Sequence, residues 1–307
     1  MSRWAWVWAL ALLLGCGAAT RGAQPAPAPI ASTSASAARI AEAAPVRLRI
    51  ATFNVQVLGP AKAGRPEVLR ALAQIIRRYD LVALQEIRDR TGEAARRLLE
   101  AVEEGAEGSG GGAGPRYGLE LSERTGREPD DRHSQEQYAY YYRMDRLRVL
   151  PESTLYDDSE HDYFQREPYL SRFEVLGSDA TFVLINVHTR PRAALQEIAA
   201  IEHVFGWARV FYPAEDVFIA LGDFNAGCGY ASEEDLDALP LHGEAYDWVV
   251  PHSADTNLAP SACPYDRIVI AAPQGSDLVE DWGVDRAFDD RAISDHWPVW
   301  VDLRLAP

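Results

Sequence analysis

Basic residues are in deficit in this sequence. The 307-residue chain has 30 lysines and arginines against 46 aspartates and glutamates, and its formal net charge is −16. A protein that coats nucleic acid needs a broadly basic surface, so this composition excludes that class. An enzyme that releases its product needs only a local basic patch. The carboxylate excess is also compatible with a site for a hard divalent cation such as Mg²⁺ or Ca²⁺.

The start of the chain lacks an apolar run long enough to cross a membrane. The run at residues 4–15 is about a dozen residues long, whereas a spanning helix needs roughly 20. We therefore predict a lipoprotein-type signal peptide over residues 1–15. It ends in Leu13-Leu14-Gly15-Cys16, which resembles a bacterial lipobox and predicts lipidation of Cys16. The alternative is an ordinary secretory signal with an incidental cysteine.

A flexible tether is predicted to follow the signal peptide. Residues 17–45 consist mainly of Ala, Pro, Ser and Thr, a composition that cannot bury enough apolar surface to offset the entropy of ordering. With lipidated Cys16 this segment would span residues 16–45. We expect an exported lipoprotein anchored to the bacterial cell envelope, or otherwise a secreted protein. The lipid at Cys16 would be its membrane contact, and we expect a monomer without an obligate protein partner.

Cysteine is scarce, with three residues in the whole chain. After Cys16 the remainder is even, Cys228 and Cys263, and an exported protein with an even remainder favours a disulfide. Closing a loop of this length would constrain the unfolded chain by about 4 kcal/mol. The alternative is two buried thiols.

The remaining sequence, residues 46–307, is predicted to form one catalytic domain. Apolar runs rich in Val, Ile and Leu alternate with helical patterns, which predicts strands at 48–55 and 81–84 and helices at 66–78 and 93–102. A glycine-rich segment at 105–115 is predicted to be a disordered loop. Further strands are predicted at 117–121, 137–143, 147–150, 169–176, 181–187, 217–221, 248–250, 267–270 and 299–303, with a helix at 192–211. The order favours an α+β fold, a four-layer α/β/β/α sandwich of two packed mixed sheets flanked by helices.

Polar side chains recur where the predicted strands end, which is where a rigid scaffold can present groups to a cleft. They are Asn54, Glu86, His188, Asp223, Asn225, Asp266 and the pair Asp295-His296. Gly222 is expected to turn the chain sharply and bring Asp223 and Asn225 into one cleft. Each residue taken alone could instead be a turn residue, a solvated strand end or a structural histidine.

Together these residues indicate hydrolysis by activated water. The set contains carboxylates, amides and two histidines, and no nucleophilic Ser or Cys motif accompanies it, which implies metal-assisted attack by water. Phosphodiester cleavage suits this set, because one histidine can deprotonate water while the other protonates the leaving oxygen. The metal and amide donors would neutralise phosphoryl charge.

Several stretches resemble the endonuclease/exonuclease/phosphatase superfamily and, within it, the deoxyribonuclease I family. The resemblance covers most of residues 46–307 and implies the fold predicted above. Its discriminating stretches are Gln85-Glu86-Ile87-Arg88-Asp89, Arg166-Glu167-Pro168, Gly222-Asp223-Phe224-Asn225-Ala226-Gly227-Cys228, Ser253-Ala254-Asp255-Thr256 and Cys263-Pro264-Tyr265-Asp266-Arg267-Ile268-Val269.

The resemblance implies a role for each site residue. Glu86 and Asp295 would hold a catalytic Mg²⁺ or Mn²⁺ near Asn54, while Asp223 and Asn225 would grip the scissile phosphate or a second ion. His296 paired with Asp266 would be the general base, and His188 paired with Glu136 the general acid. Arg88 and Arg166 would contact DNA phosphates in the minor groove. Cys228 and Cys263 match the family's structural disulfide. Asp255 matches a structural Ca²⁺ loop, and Asp162 with Glu167 falls near a second one.

The chain departs from the family pattern at positions that bear on DNA binding. Gln56 stands where the animal enzymes carry an arginine, and Ser134 stands where they carry a tyrosine that inserts into the groove. The loop at 157–163 is shortened and lacks a cysteine pair, and the glycine-rich insertion near Gly110 is not a family feature. The residues at positions 56 and 134 predict altered DNA affinity or groove preference.

Two other functions compete with that of a DNA endonuclease. The shared chemistry would also serve a phosphodiesterase acting on sphingomyelin, inositol phosphates or another ester. A catalytically inactive binding or toxin-type subunit could keep the fold for recognition alone. The presence of Glu86, His188, Asp223 and His296 argues against the inactive subunit, and the arginine-bearing stretches favour DNA as substrate.

Overall fold

A computed structural model describes residues 45–105, 114–126, 134–273 and 277–305. The strands are β1 Val46–Leu58, β2 Leu81–Ile87, β3 Tyr117–Leu121, β4 Gln137–Arg143, β5 Leu147–Val149, β6 Thr154–Leu155, β7 Tyr169–Val175, β8 Thr181–His188, β9 Phe218–Asp223, β10 Asp247–Trp248, β11 Asp266–Ala271, β12 Val279–Val284 and β13 Val299–Leu305. The α-helices are α1 Pro60–Ala63, α2 Pro66–Ile76, α3 Glu93–Glu104, α4 Ala194–Phe211 and α5 Glu233–Asp237, and short 3₁₀ helices cover Pro191–Ala193 and Pro240–His242.

The strands form two mixed sheets. The first has the order β12-β13-β1-β2-β4-β3, and the second has the order β10-β11-β9-β8-β7-β5, with β6 also paired to β7. In each sheet one central pair is parallel, β1 with β2 and β8 with β9, and the other pairs are antiparallel. The predicted arrangement of two mixed sheets is therefore confirmed.

Alternating side chains on the strands build three apolar layers. One face of each sheet packs against the other sheet, as Ile50 of β1 and Leu184 of β8 do. The opposite face of the first sheet packs against α2 and α3, and that of the second packs against α4. Each such leucine or isoleucine contributes about 1.5–3 kcal/mol when fully buried. The result is the expected order of helix, sheet, sheet and helix.

A buried amide pair joins the two sheets within their apolar interface. Gln85 Nε2 of β2 donates to Asn186 Oδ1 of β8 at 2.7 Å, and also to Thr52 Oγ1 at 2.9 Å. Asn186 Nδ2 in turn donates to the carbonyl of Leu84 at 3.2 Å. Apolar side chains pack without directional preference, whereas these bonds are satisfied in one alignment only. The pair therefore fixes how the ends of β2 and β8 face each other.

Most predicted elements lie within two residues of the observed ones, and the short or polar elements are those that sequence reasoning missed. They are α1, β6, α5 and the edge strand β12. The sequence of β12, Val-Glu-Asp-Trp-Gly-Val, is half-buried or exposed along its length, so it lacks the apolar run by which the buried strands were recognised. The strand predicted at 248–250 is the two-residue strand β10.

The disulfide is confirmed. Cys228 and Cys263 are bonded, with their Cα atoms 5.7 Å apart. The bridge joins the segment that follows β9 to the segment that precedes β11. β9 and β11 carry Asp223 and Asp266 at these ends. The disulfide therefore restrains the loops beside the predicted site.

The predicted signal peptide, Cys16 and most of the tether lie outside the described residues, as does most of the glycine-rich segment at 105–115. Within the described residues, none of the helices is both long enough and apolar enough to cross a membrane.

The expectation that Gly222 turns the chain sharply is wrong. Gly222 lies inside β9 and pairs with Val187 on β8 and Arg267 on β11. A Cβ atom built on Gly222 would overlap the carbonyl oxygen of Val187. Glycine is needed here because the backbones of β8 and β9 approach each other closely, directly before the site residue Asp223.

We predict that Gly222→Ala lowers the free energy of unfolding by about 3 kcal/mol or more, because the added methyl group must push a backbone carbonyl aside. Gly206→Ala is the matched control, since Gly206 lies on the exposed side of α4 with no atom within 4 Å of an added Cβ. That change should stabilise the helix by up to about 1 kcal/mol. Urea unfolding of both variants tests the prediction, which equal stabilities would contradict.

Candidate active site

The topology brings the predicted site residues to one edge of the sandwich. In each parallel pair the two carboxyl ends meet, which places Asn54 beside Glu86 in the first sheet and His188 beside Asp223 in the second. The antiparallel neighbours begin at that edge. Glu136 therefore precedes β4, Asp266 begins β11 opposite Asp223, and His296 precedes β13. Eight of the ten predicted catalytic and metal positions, all but Asp255 and Asp295, contact one another at this edge.

The first histidine–carboxylate pair is His188 with Glu136. His188 Nδ1 lies 2.6 Å from Glu136 Oε1, and both side chains are buried. Burial raises the pKa of Glu136. His188 and Arg166 lower this pKa by more than burial raises it, so the net shift is downward. Glu136 is thereby kept ionised, and it directs the other ring nitrogen of His188, Nε2, toward the centre of the site.

The second pair is His296 with Asp266. His296 Nδ1 lies 2.8 Å from Asp266 Oδ2, which also accepts a hydrogen bond from Thr256 Oγ1 at 2.7 Å. Burial raises the pKa of Asp266. Burial lowers the pKa of His296, but Asp266 and Asp223 overcome that effect and raise it to about 10. Without a cation in the site, His296 is therefore held protonated at neutral pH.

Asp223 lies between the two pairs. Its Oδ2 is 3.5 Å from His188 Nε2 and 3.6 Å from His296 Nε2. Burial raises the pKa of Asp223, but His296 and His188 lower it further, so the net shift is downward. Asn54 Nδ2 donates to Asp223 Oδ2 at 3.0 Å, and the backbone N–H of Asn225 donates to Oδ1 at 2.9 Å. The Nε2 atoms of both histidines thus face one carboxylate.

Glu86 occupies an irregular position at the end of β2. Its φ is +65°, and the register of β2 against β4 shifts between Leu84 and Ile87. The Glu86 carboxylate accepts hydrogen bonds from Asn54 Nδ2 at 3.2 Å and from the N–H of Val57 at 2.9 Å. Oδ1 of Asn54 accepts a hydrogen bond from the N–H of Gln56 at 2.9 Å, so Nδ2 of Asn54 faces the carboxylates. In this structure Asn54 positions Glu86 and Asp223.

Left-handed backbone conformations are concentrated at this edge. Gln56, Val57, Glu86 and Asn225 all have positive φ, between +44° and +65°. Such conformations cost of order 1–3 kcal/mol at non-glycine residues and persist where the surrounding structure enforces them. The hydrogen bonds of Asn54, Glu86 and Asp223 supply that enforcement. These positions re-aim side chains that a regular strand would direct elsewhere.

Lys62 is a residue at this site that sequence reasoning missed. Its Nζ donates to the carbonyls of Val55 at 2.8 Å, Gln56 at 2.6 Å and Ile293 at 3.1 Å. Burial lowers the pKa of Lys62, while the carboxylates of Asp295 and Glu86 oppose that shift. One ammonium group therefore ties the end of β1 to the segment that carries Asp295 and His296. A signal was present, because Lys62 is the only lysine in the sequence.

The two predicted DNA-contacting arginines lie against the site carboxylates. Arg88 is 3.3 Å from Glu86 and 3.9 Å from Glu136, and its side chain is partly exposed. Arg166 is 3.8 Å from Glu136 and is buried, and it donates to the carbonyls of His188 at 3.0 Å and Thr189 at 2.8 Å. Arg88 is therefore open to solvent on one side, whereas Arg166 holds the backbone that carries His188.

The two predicted calcium loops adjoin the histidine pairs, because Thr256 donates to Asp266, and Thr125, which bonds to Glu167, bridges to Glu136. The Asp255 carboxylate is 3.2 Å from Arg286, whose guanidinium group lies where a metal ion bound to Asp255 could otherwise lie. Asp162 and Glu167 line a cavity of about 500 Å³ together with Asp158. One carboxylate oxygen of Asp158 is buried and has no hydrogen-bond partner among the described residues. The second loop therefore has a donor set suited to a hard cation, and the first has a competing cation beside it.

The donor chemistry at the main site also fits a divalent metal. Asp223, Asp266 and His296 each offer a ligand atom, and these atoms lie within 4.8 Å of one another. One oxygen of Asp266 is buried, and within the part of the chain that the structure describes it has no hydrogen-bond partner. Glu86 adds a further carboxylate that Asn54 links to Asp223. A cation would offset the repulsion among these buried negative charges.

Comparison with known proteins identifies the family. Residues 51–296 match the Endonuclease/Exonuclease/phosphatase family, and the chain belongs to it. The chain is 33% identical to human deoxyribonuclease-1 over 84% of its length and 93% of that protein. It is 32% identical to human deoxyribonuclease-1-like 2, covering 86% and 94%, and 37% identical to deoxyribonuclease-1-like 1 of Sus scrofa, covering 84% and 81%. The resemblance noted in the sequence is confirmed, and the chain is a phosphodiester hydrolase.

Solved structures confirm the fold. Humanized D. rerio TDP2 aligns with a TM-score of 0.60 at 17% identity, over 84% of this chain and 99% of that one. An endonuclease/exonuclease/phosphatase protein from Bacteroides vulgatus aligns with a TM-score of 0.59 at 18% identity, over 85% and 99%. At these identities the likeness establishes the two-sheet architecture and not the substrate.

We predict that Lys62→Met reduces phosphodiester hydrolysis by about 10- to 100-fold, because the end of β1, which carries Asn54, and the segment that carries Asp295 and His296 lose their common tie. Loss of the three bonds should also lower the free energy of unfolding by about 2–4 kcal/mol. Arg70→Met, on the exposed face of α2, is the matched control and should leave both unchanged. Unchanged turnover in a folded Lys62→Met protein would refute the positioning role.

We also predict that the chelator-treated protein loses stability as the pH rises from 7 to above 10. The pKa of His296 is raised to about 10 in the folded state from an ordinary 6.5, so its contribution is fully present below 6.5 and disappears as the pH passes through 10. Unfolding free energies across this range measure the effect. The His296→Gln variant should show a shallower decline, and identical slopes in the two proteins would contradict the assignment.

Proposed function

We propose that this protein is a divalent-metal-dependent endonuclease that hydrolyses DNA phosphodiester bonds with little sequence specificity. The observation that carries the proposal is the pair of histidine–carboxylate units whose Nε2 atoms face the same carboxylate at 3.5 and 3.6 Å. A base and an acid on opposite sides of one point are what hydrolysis of a phosphodiester requires, since one proton must leave the attacking water and another must reach the leaving oxygen.

His296 serves as the general base in this proposal. Asp266 holds Nδ1 at 2.8 Å, which fixes the ring orientation and leaves Nε2 directed at the centre of the site. A base must be neutral, and the carboxylates around His296 favour its protonated form. The base therefore becomes available when positive charge offsets Asp223 and Asp266. Nε2 then takes a proton from the water that attacks phosphorus.

His188 serves as the general acid. Glu136 accepts from Nδ1 at 2.6 Å and fixes the orientation of the ring, while Arg166 fixes the backbone carbonyl of His188. The bond from phosphorus to the leaving oxygen breaks as Nε2 of His188 delivers its proton to that oxygen. The base and acid should each contribute about 10²–10⁴-fold to the rate.

The remaining polar groups would bind the phosphate and a metal ion. Glu86 and Asp295 would hold Mg²⁺ or Mn²⁺, with Asn54 keeping Glu86 in place. When bound, the cation would supply Lewis-acid stabilisation of the phosphoryl charge. Asp223 and Asn225 would orient the phosphate or a second ion. This donor set of carboxylate and amide oxygens matches hard divalent cations.

The proposal of DNA as the substrate rests on relatives and on two side chains. Relatives at 32–37% identity that cover most of the chain are named deoxyribonucleases. Arg88 lies partly exposed beside Glu86 and could contact a phosphate. Ser134 is buried and donates to the carbonyl of Gly126 at 3.0 Å, so it offers nothing to a groove. We infer weaker duplex binding than an enzyme with an aromatic residue there would have.

We further propose that structural Ca²⁺ occupies the cavity beside Asp158, Asp162 and Glu167, with the loop of Asp255 as the second position. The unpartnered buried oxygen of Asp158 supports the first of these. Export as a monomeric lipoprotein, anchored to the cell envelope through Cys16, remains the proposal for location, and it rests on the sequence alone.

The test is incubation of the purified protein with supercoiled plasmid, with and without Mg²⁺ and a chelator. Wild-type protein should nick the plasmid in a chelator-sensitive way, and His296→Ala and His188→Ala should each lose about 10²–10⁴-fold in rate. His203→Ala, on the exposed surface of α4, is the matched control and should keep full activity.

Three outcomes would count against the proposal. Absence of nicking by folded wild-type protein would sink DNA as the substrate. Turnover of sphingomyelin or a phosphoinositide in the same preparation, without nicking, would make the protein a phosphodiesterase on another ester. Absence of turnover on all three substrates would support a binding subunit without catalytic activity.

A further inference from the structure

A second cluster of metal-ligating side chains lies apart from the active site. Asp237, His242 and His252 each offer one ligand atom, and these atoms lie within 4.8 Å of one another. Asp237 ends α5, His242 ends the 3₁₀ helix Pro240–His242, and His252 follows β10. None of the three takes part in the proposed hydrolysis. We propose that this cluster binds a first-row transition-metal ion of the Zn²⁺ type.

The distances suit such an ion. Asp237 Oδ1 lies 3.0 Å from His252 Nε2 and 3.7 Å from His242 Nδ1. Tetrahedral zinc with bonds of about 2.0–2.1 Å separates neighbouring ligand atoms by about 3.3 Å, which falls between these two distances. Shifts of a few tenths of an ångström would bring these two distances to that value, and the third pair of ligand atoms, one from each histidine, lies within 4.8 Å. Two imidazoles and one carboxylate favour zinc or a similar ion over Mg²⁺ and Ca²⁺, which prefer oxygen.

Neighbouring side chains restrain the rings of His242 and His252. Trp248 stacks on His242 with ring centroids 4.0 Å apart, and its Nε1 donates to the carbonyl of Leu241 at 2.8 Å. The two histidine rings lie nearly parallel, 17° apart in plane. Contacts with Trp248 and His252 restrain the ring of His242. Its Nε2 is buried and has no hydrogen-bond partner among the described residues.

Solvent can reach the cluster from one side. The side chain of Asp237 is 61% exposed, whereas those of His242 and His252 are 19% and 20% exposed. An ion from solution could enter from the Asp237 side and keep water as its fourth ligand, as three-ligand zinc sites do. The three ligands come from separate segments, so a bound ion would join α5 and the 3₁₀ helix to the loop after β10.

Arg267 opposes the ion and sets a limit on its affinity. Arg267 Nη2 lies 3.2 Å from His252 Nδ1 in the metal-free protein, where Nε2–H donates to Asp237. Ligation through Nε2 moves the imidazole proton to Nδ1, so Arg267 loses this acceptor and keeps its bond to the carbonyl of Val250 at 2.7 Å. The nearby guanidinium charge also repels the ion. The site is therefore weaker than an equivalent site without the arginine.

The experiment is a titration of the full-length protein with Co²⁺ and Zn²⁺ in excess Mg²⁺, which fills oxygen-rich sites. The wild type should develop the visible absorption of low-coordinate Co²⁺ with one equivalent bound, and Zn²⁺ should displace it. Zn²⁺ should also raise the melting temperature. Both signals should disappear in His242→Ala and His252→Ala and weaken by about tenfold or more in Asp237→Asn, whose exposed side chain can change without disturbing the fold.

His203→Ala is the control, because its exposed histidine on α4 lies outside the cluster and its removal should change neither signal. The proposal is overturned if the wild type shows no saturable Co²⁺ absorption, or if one equivalent still binds to His242→Ala and His252→Ala. Loss of the signal only in His296→Ala would place the ion at the active site and also overturn it. These readouts do not use nuclease activity, so they stand whether or not DNA is the substrate.

Discussion

The burial of three carboxylates in one small volume is the constraint on which the rest of the site depends. Glu136, Asp223 and Asp266 are each at most 2% exposed. Isolated ionised groups could not remain there, because desolvation would cost several kcal/mol for each. Two histidines, Arg166 and Asn54 compensate them through hydrogen bonds and charge. Each carboxylate of the site is therefore stabilised by its neighbours, and a bound cation would compensate the negative charge that remains.

The scaffold meets this demand through the topology of its two sheets. A parallel pair at the centre of each sheet delivers two strand ends to the same edge, and the buried bond between Gln85 and Asn186 aligns the two edges with each other. Residues that are distant in sequence thus converge without long loops. This is also why their order along the chain gave a workable indication of the site: each polar residue follows or precedes an apolar run, and strand ends are visible in a sequence.

Other features depend on contacts that no local pattern records. Gly222 looked like a turn residue, and only the approach of Val187 from β8 shows that its role is steric. Glu86 looked like an ordinary strand end, whereas its left-handed conformation depends on the shift in register against β4. Arg166 matched a DNA-contacting position in the family and proves to hold the backbone near His188. Strand β12 carries too few apolar residues to be recognised.

Lys62 gives the protein a property unrelated to catalysis. All the other residues among the 30 lysines and arginines are arginines, so Lys62 carries the sole lysine amine. This amine donates hydrogen bonds to three backbone carbonyls at the site. Growth on isotopically labelled lysine would therefore mark a single position in the molecule. That position adjoins Glu86 and Asp295, whose charges already influence it. The spectroscopic signal of labelled Lys62 would therefore report on a cation that binds beside Glu86 and Asp295, with no engineered residue.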